Sequence, residues 1–555
     1  MAGPLMLPYK EMLRELRISM SKDFGDFQTP QPLVDEVISC LLRKGKHWRR
    51  AFEPTCGQGN FIQGLLKLTP PLDEIQGIEI QDKYIPKLQE ISEYQRVTRV
   101  KFKQANIFDL DLQLDLKWEG DGPLLVLGNP PWITNAALST LGSKNLPVKT
   151  NFKGLTRFGA MTGESNFDIA EYIWLKLARE LIKESPTIAL LCKASVARNV
   201  LKFAFDTGIP IKEACLWKIN SKEKFDTSVD ACLFYVDIEP GNYCYQAKVY
   251  QDLKAPEPYA TIGIVHGQLV SDITTHQNFA FIDGTCQLTW RQGLKHDAAA
   301  IFELRYGSSG RLYNKLGEIV SVEREYIYPL LKSSDIGGKA REQSKRAVLV
   351  TQRYIGEDTR CLEYEAPLLW KYLISHRETI EARKSSIYNN QPPFAIFGIG
   401  DYSFAPYKVA ISGMHKRLKF SVTGPINGRP VQFDDTCYFL ACESARQAAL
   451  ISSLLNNPLC LNYLQSIIFW DAKRPVTKKV LQRIDLRALL KQVDTQLLLE
   501  EANLLLKEID LSMASHSDEW PEDLESFLKD YSVKSEMINP SVLEETAKIA
   551  QISLF

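Results

Sequence analysis

Over residues 1–240, short apolar runs alternate with segments of helical spacing. LLVLGN (124–129) and TIALLCK (187–193) are short and nearly unbroken, as buried strands are. DIAEYIWLKLARELI (168–182) lies between them and repeats its apolar positions with the helical period. Strands alternating with helices predict an α/β domain built on a mostly parallel, doubly wound sheet. Residues 241–270 are mixed and read as the crossing between domains. From about residue 280 aromatics, Gly and Pro become frequent, as in NQPPFAIFGIGDYSFAPYKVAISGMHKRLKF (390–420), which predicts a loop-rich α+β domain. LLKQVDTQLLLEEANLLLKE (489–508) predicts one amphipathic helix, with more helix after a loop around Pro521. The expected organisation is thus 1–245, 246–487 and a helical segment 488–555.

Composition narrows this picture. A chain of 555 residues calls for two large cores. No apolar run is long enough to span a bilayer, and the charged, interrupted N-terminus lacks a secretory signal, so a cytoplasmic protein without membrane partners is expected. The eleven cysteines form no CxxC pair and the seven histidines do not cluster, so neither a metal nor a disulfide framework is expected. Net charge is zero, which alone argues against a nucleic-acid partner. The total hides segregation: residues 488–555 hold 5 Lys against 14 Asp plus Glu, leaving 62 basic and 53 acidic residues before them. A solvated helical face explains that acidic stretch equally well.

Two motifs carry chemistry. Glu53-Pro54-Thr55-Cys56-Gly57-Gln58-Gly59 is a glycine-containing turn entered from an apolar strand and left by a helix. Its glycines let backbone approach a ligand at the end of a first strand. Glu79-Ile80 closes the next strand, IQGIEI, and an acid there suits the hydroxyls of a ribose. Together they indicate a nucleoside-containing cofactor, with a bare strand–helix turn as the competing reading. The second motif, Asn129-Pro130-Pro131-Trp132, follows LLVLG. Pro131 removes a backbone donor and leaves the Pro130 carbonyl to accept beside the Asn129 side-chain oxygen. Two adjacent acceptors hold both hydrogens of a planar amine, and Trp132 offers a face on which a base can stack. A structural turn is the alternative here too.

In their order and type these motifs resemble the gamma arrangement of amino-methyltransferases from restriction-modification systems, the TaqI-like adenine methyltransferases. The resemblance covers residues 24–240 specifically and 280–487 more loosely. It implies a Rossmann-like class I methyltransferase domain followed by an α+β target-recognition domain. It implies S-adenosyl-L-methionine as cofactor, bound by Thr29 and Pro30 of Phe27-Gln28-Thr29-Pro30, by Glu53 through Gly57 and Gly59, by Glu79 and Ile80, by Asn106 and Ile107, and by Asn129. At Ala105-Asn106-Ile107-Phe108 the family usually carries Asp where this chain has Asn106, with Asp109 as a fallback. Asn166-Phe167-Asp168 resembles the motif that follows, and Lys224-Phe225-Asp226 the segment lending a second aromatic, Phe225, to the target base.

The implied reaction is methylation of the N6 amine of an adenine flipped from double-stranded DNA. Direct displacement needs no nucleophile, so Cys56 reads as a packing residue. Lys408, Lys416 and Arg417, then Lys473 and Arg474, form the basic clusters expected to meet phosphates. RNA or a protein glutamine amide as substrate, and a non-catalytic DNA-binding protein on this fold, are the alternatives. A monomer is expected, with a cognate restriction endonuclease as a separate partner, since no PD…ExK constellation follows the motifs and few residues precede them.

Overall fold

The computed structural model describes residues 28–93, 97–133, 168–227, 229–308, 310–336, 345–509 and 520–531. The chain divides into two compact units, Met1–Thr274 and Thr275–Phe555.

The first unit is built on β1 (Arg50–Glu53), β2 (Glu74–Glu79), β3 (Arg99–Gln104), β4 (Leu124–Gly128), β5 (Thr187–Lys193), β6 (Ile211–Ile219), β7 (Ala231–Ile238), β8 (Gln246–Tyr250), β9 (Ala260–Val265) and β10 (Gln268–Val270). Among the described residues they form one sheet in the order β10-β9-β8-β6-β7-β5-β4-β1-β2-β3. Strands β1 to β5 run parallel, and β7 inserts antiparallel between β5 and β6. The central strands β1, β4 and β7 are buried throughout, and β4 therefore reads as an unbroken apolar run.

Helices α1 (Gln31–Leu42), α2 (Asn60–Leu65), α3 (Ile85–Glu93), α4 (Ile169–Glu180), α5 (Ala194–Thr207) and α6 (Ser221–Phe225) connect or flank these strands. The apolar face of α1, including Leu33, Val34, Val37 and Leu41, packs in one core with Ala51, Ile75, Leu125 and Leu127 of the sheet. Strand order reverses at β1, with β2 and β3 laid to one side and β4 and β5 to the other. The carboxyl ends of β1 and β4 therefore flank a topological switch point, where open α/β sheets bind ligands.

The domain boundary expected at 245/246 moves to 274/275, because β8, β9 and β10 extend the first sheet. Strand β8 alternates exposed and buried positions, so its apolar signal is diluted. Its end is fixed by Tyr250 stacked on Trp217 at 5.1 Å.

The second unit contains β11 (Arg291–Gln292), β12 (Glu303–Tyr306), β13 (Leu312–Tyr313), β14 (Ile319–Val320), β15 (Ile327–Leu331), β16 (Arg346–Leu349), β17 (Tyr407–Ser412), β18 (Ser421–Thr423), β19 (Gln432–Phe433) and β20 (Cys437–Cys442). They pair as two sheets, β11-β20-β17-β18 and β14-β13-β12-β16-β15-β19. Helix α7 (Ala445–Asn456) is buried along most of its length. The single helix expected over 489–508 is two, α8 (Leu486–Leu490) and α9 (Thr495–Ile509). Nor are the described residues after 488 a separate segment, since α9 packs on α7 and Gln447 donates to the carbonyls of Phe527 and Lys529 at 3.0 Å.

Candidate cofactor and methyl-transfer site

A cleft opens at the carboxyl ends of β1, β2, β3 and β4. The turn after β1 shapes it. Gly57 and Gly59 adopt φ of +51° and +77°, and a Cβ on Gly57 would stand 2.6 Å from the Gln28 amide oxygen. The positive φ at both positions strains any other residue, and glycine leaves the turn's backbone open to the cleft. Gln28 Oε1 accepts from the Gln58 N–H at 2.9 Å. Glu79, at the end of β2, accepts from the N–H groups of Gly57 at 2.6 Å and Gln81 at 2.8 Å. Its carboxylate thus braces the glycine turn while lining the cleft.

The other segments converge on this turn. Asn60 donates to the Thr29 carbonyl at 2.8 Å, and the Asn129 amide donates to Thr29 Oγ1 at 3.2 Å. Thr29 therefore joins the segment before α1 to the loop after β4. Pro54, Thr55, Ile80, Asn106, Ile107 and Pro131 all line the cleft. Gly59 and Pro30 are not lining residues but hold the turn and the start of α1. Cys56 lines it as a packing residue: its thiol donates to the Glu53 carbonyl, and burial pushes its pKa well up. Asp109 is exposed and outside the cleft, so the fallback for Asn106 is withdrawn.

Electrostatics favour a cationic guest. Burial, and then the charge of Glu79, push the Glu53 carboxyl well above the usual range. Glu53 Oε2 and Thr55 Oγ1 are buried in the cleft wall without a hydrogen-bond partner. Orphaned polar atoms cost free energy until a ligand donor reaches them. An ammonium group supplies the missing donor and relieves the acid–acid repulsion, so these residues fit an amino-acid-bearing cofactor.

At the end of β4, Asn129 and Pro131 line the cleft and Trp132 lies just beyond it, while Pro130 is buried beneath. The Trp132 indole N–H donates to the Leu191 carbonyl of β5 at 3.2 Å. Phe225 meets Trp132 edge to face, with centroids 5.2 Å apart and planes at 73°. Phe225 ends α6, whose start is capped by Asn220 and whose exit is held by Ser221 Oγ donating to the Thr227 carbonyl at 2.9 Å. Asp168 caps α4 and accepts from Lys193 at 2.6 Å, whereas Phe27, Asn166 and Phe167 lie outside the described residues. Sequence reasoning missed Gln28, Asn60, Gln81, Ile133, Ile169 and Ile173 as lining residues. Ile169 and Ile173 were findable, four apart on one face of α4.

The basic clusters fare unevenly. Lys408 is 1% exposed, donates to the carbonyls of Ala405 at 2.9 Å and Val431 at 2.8 Å, and has its pKa pushed down to about 7 by burial. It is a core pin and not a phosphate contact, on a central strand buried from Lys408 to Ser412. Arg474 is paired with Asp435 at 2.9 Å. Lys416, Arg417 and Lys473 are exposed. Their two loops adjoin, since a Cβ on Gly413 would stand 3.3 Å from the Val476 carbonyl. Among the described residues no group of three or more His, Cys, Asp or Glu could hold a metal, and no helix is long and apolar enough to cross a membrane.

No protein-family model matches the chain. The Type II methyltransferase M.NspV of Nostoc sp. (strain ATCC 29411 / PCC 7524) is 35% identical over 472 residues, which are 85% of this chain and 98% of that relative. The chain belongs to the Type II methyltransferases. Its cofactor is S-adenosylmethionine. The DNA-bound Type IIL restriction-modification enzyme MmeI superposes with a TM-score of 0.50 over 94% of this chain and 72% of that one, at 14% identity. That likeness is one of fold, and with the sheet order above it gives the Rossmann-like class I methyltransferase architecture.

Proposed function

We propose that this Type II methyltransferase modifies the N6 amine of an adenine extruded from double-stranded DNA, as the modification component of a restriction-modification system. The observation that carries this reading is the loop Asn129–Trp132, tied through Asn129 to the cofactor cleft and through Trp132 to an aromatic partner. S-adenosylmethionine, when bound, supplies a methyl group on a sulfonium centre. Glu53 and Thr55 hold its amino-acid end, Glu79 its ribose, and the Ala105–Phe108 turn its adenine. Asn129 Oδ1 and the Pro130 carbonyl hold the two hydrogens of the target amine and aim its lone pair into the cleft. Trp132 and Phe225 stack on the extruded base, which requires their edge-to-face contact to open. Lys416, Arg417, Lys473 and Arg474 meet the phosphate backbone. The chain acts as a monomer, and a cognate endonuclease in another chain completes the system.

The test is transfer of radiolabelled methyl groups to duplex DNA, RNA and protein, with the DNA product sequenced for modified bases. N6-methyladenine in DNA at one sequence context is the expected result. Label confined to RNA or protein, or to cytosine, would overturn the substrate. Asn129→Ala is expected to abolish transfer and leave cofactor binding largely intact; equal loss of both would make the loop a structural turn.

A further inference from the structure

Asn106 ends the approach from β3 into the cleft. Its Oδ1 accepts from the Phe108 N–H at 3.1 Å and so caps the turn Ile107–Asp109. That bond fixes which way the amide faces. A backbone N–H can be met only by the oxygen arm, so the NH2 arm is the outward one. Among the described residues Nδ2 has no hydrogen-bond partner. Asn106 is half-buried and lines the cleft with its neighbours Ala105, Ile107 and Phe108. An aspartate in the same pose would meet the Phe108 N–H with one oxygen and offer the second oxygen to the ligand. The asparagine offers a donor instead.

We infer that Asn106 presents an N–H donor to the cofactor's nucleobase, so that this pocket does not read the 6-amino group and admits a base carrying an acceptor at position 6. The inference rests on the reading that the Ala105–Phe108 turn receives the adenine. An amine facing Nδ2 sets donor against donor, and adenine then binds through its ring nitrogens and the apolar walls at Ile80 and Ile107. A 6-oxo purine sets an acceptor against the same N–H. Asn106 is thereby a specificity-determining residue for the cofactor, separate from the residues that orient the target base.

The experiment is calorimetric titration of the full chain with S-adenosylhomocysteine and with its 6-oxo counterpart, S-inosylhomocysteine, for the native protein and for Asn106→Asp. Neither ligand carries the sulfonium, so the ratio of their dissociation constants reports the base edge alone, where the 6-oxo exchange also turns N1 from acceptor to donor. The native chain is expected to bind the two within about threefold of each other. Asn106→Asp, which keeps the cap, is expected to favour the 6-amino ligand by about tenfold or more, as a buried acceptor facing an acceptor is costly. A native preference for the amino ligand of tenfold or more, or a ratio unmoved by the substitution, overturns the inference while leaving the proposed reaction standing. Binding of neither ligand to the native chain overturns the placement of the nucleoside in this cleft and the inference with it. If Asn106→Asp fails to fold, Asn106→Ala in the same titration decides, with loss of affinity expected for the 6-oxo ligand alone.

Discussion

Trp132 does two things at once, and they can be separated. In the proposed reaction its face takes the base once the Phe225 contact opens, while its indole N–H is spent on the Leu191 carbonyl of β5. Trp132→Phe keeps the face and loses the anchor. We expect a fluorescent base analogue at the target to show extrusion weakened by about 1 kcal/mol. Trp132→Ala loses the face as well and is expected to cost about 1–3 kcal/mol. Equal signals from the native protein and both variants would remove Trp132 from base handling. Lys408 makes a prediction about stability. Burial lowers its folded pKa to about 7 from 10.5, so between those values the unfolded chain binds more protons than the folded one. Stability conferred at this site is therefore lowest below pH 7 and rises with pH across that window. Denaturant unfolding of the native chain is expected to gain on the order of 2 kcal/mol from pH 7 to pH 9. Lys408→Met should flatten that rise; an unchanged slope would mean the ammonium is not the titrating group. Sequence could not show this burial, because a lysine near Lys416, Arg417 and Lys419 reads as surface until β17 is seen to be buried on both faces.

Elements were legible where a single physical signal set them and illegible where two signals shared a period. Strands β4 and β5 and helix α4 fall where their apolar runs and spacing put them. The glycine turn and the Asn129–Trp132 loop lie at strand ends, as expected, because Gly and paired Pro constrain backbone locally. Strands β8, β9 and β10, at one end of the sheet, read as linker in the sequence, since half-buried strands need few apolar residues. The break between α8 and α9 escaped because both helices share one hydrophobic spacing and a cap has no periodicity. Asp494 supplies that cap, its carboxylate accepting from the Leu497 N–H at 3.1 Å. Asp494→Ala is expected to destabilise the second unit by about 0.5–2 kcal/mol in a thermal melt. An unmoved transition would show that packing of Leu498 and Ala502 alone starts α9.

At the scale of the whole molecule, zero net charge says little about partners. Fields at a surface are felt over about 8 Å at physiological salt, so what a phosphate meets is the local composition. The acidic residues of α9 and the basic loops carrying Lys416, Arg417 and Lys473 belong to the same compact unit, and a total over the chain cancels their charges whatever their positions. The balance of 1–487 against 488–555 therefore did not mark a separable tail. It marked a unit with exposed cationic loops, one of which leans on the other at Gly413 and Val476. If those loops bind the DNA backbone, each cation displaces roughly one counterion, and affinity falls with salt in proportion to their number. Replacing Lys416, Arg417 and Lys473 together by alanine is expected to lower the slope of log affinity against log salt by roughly three, and to weaken binding uniformly across sequences. Affinity for S-adenosylhomocysteine should stay at the native value, since the cofactor cleft is lined by the first unit alone. A slope that does not move would place the phosphate contacts on another surface. A loss confined to one DNA sequence would instead make these side chains readers of bases, because contacts to phosphate carry no sequence information and contacts to base edges do.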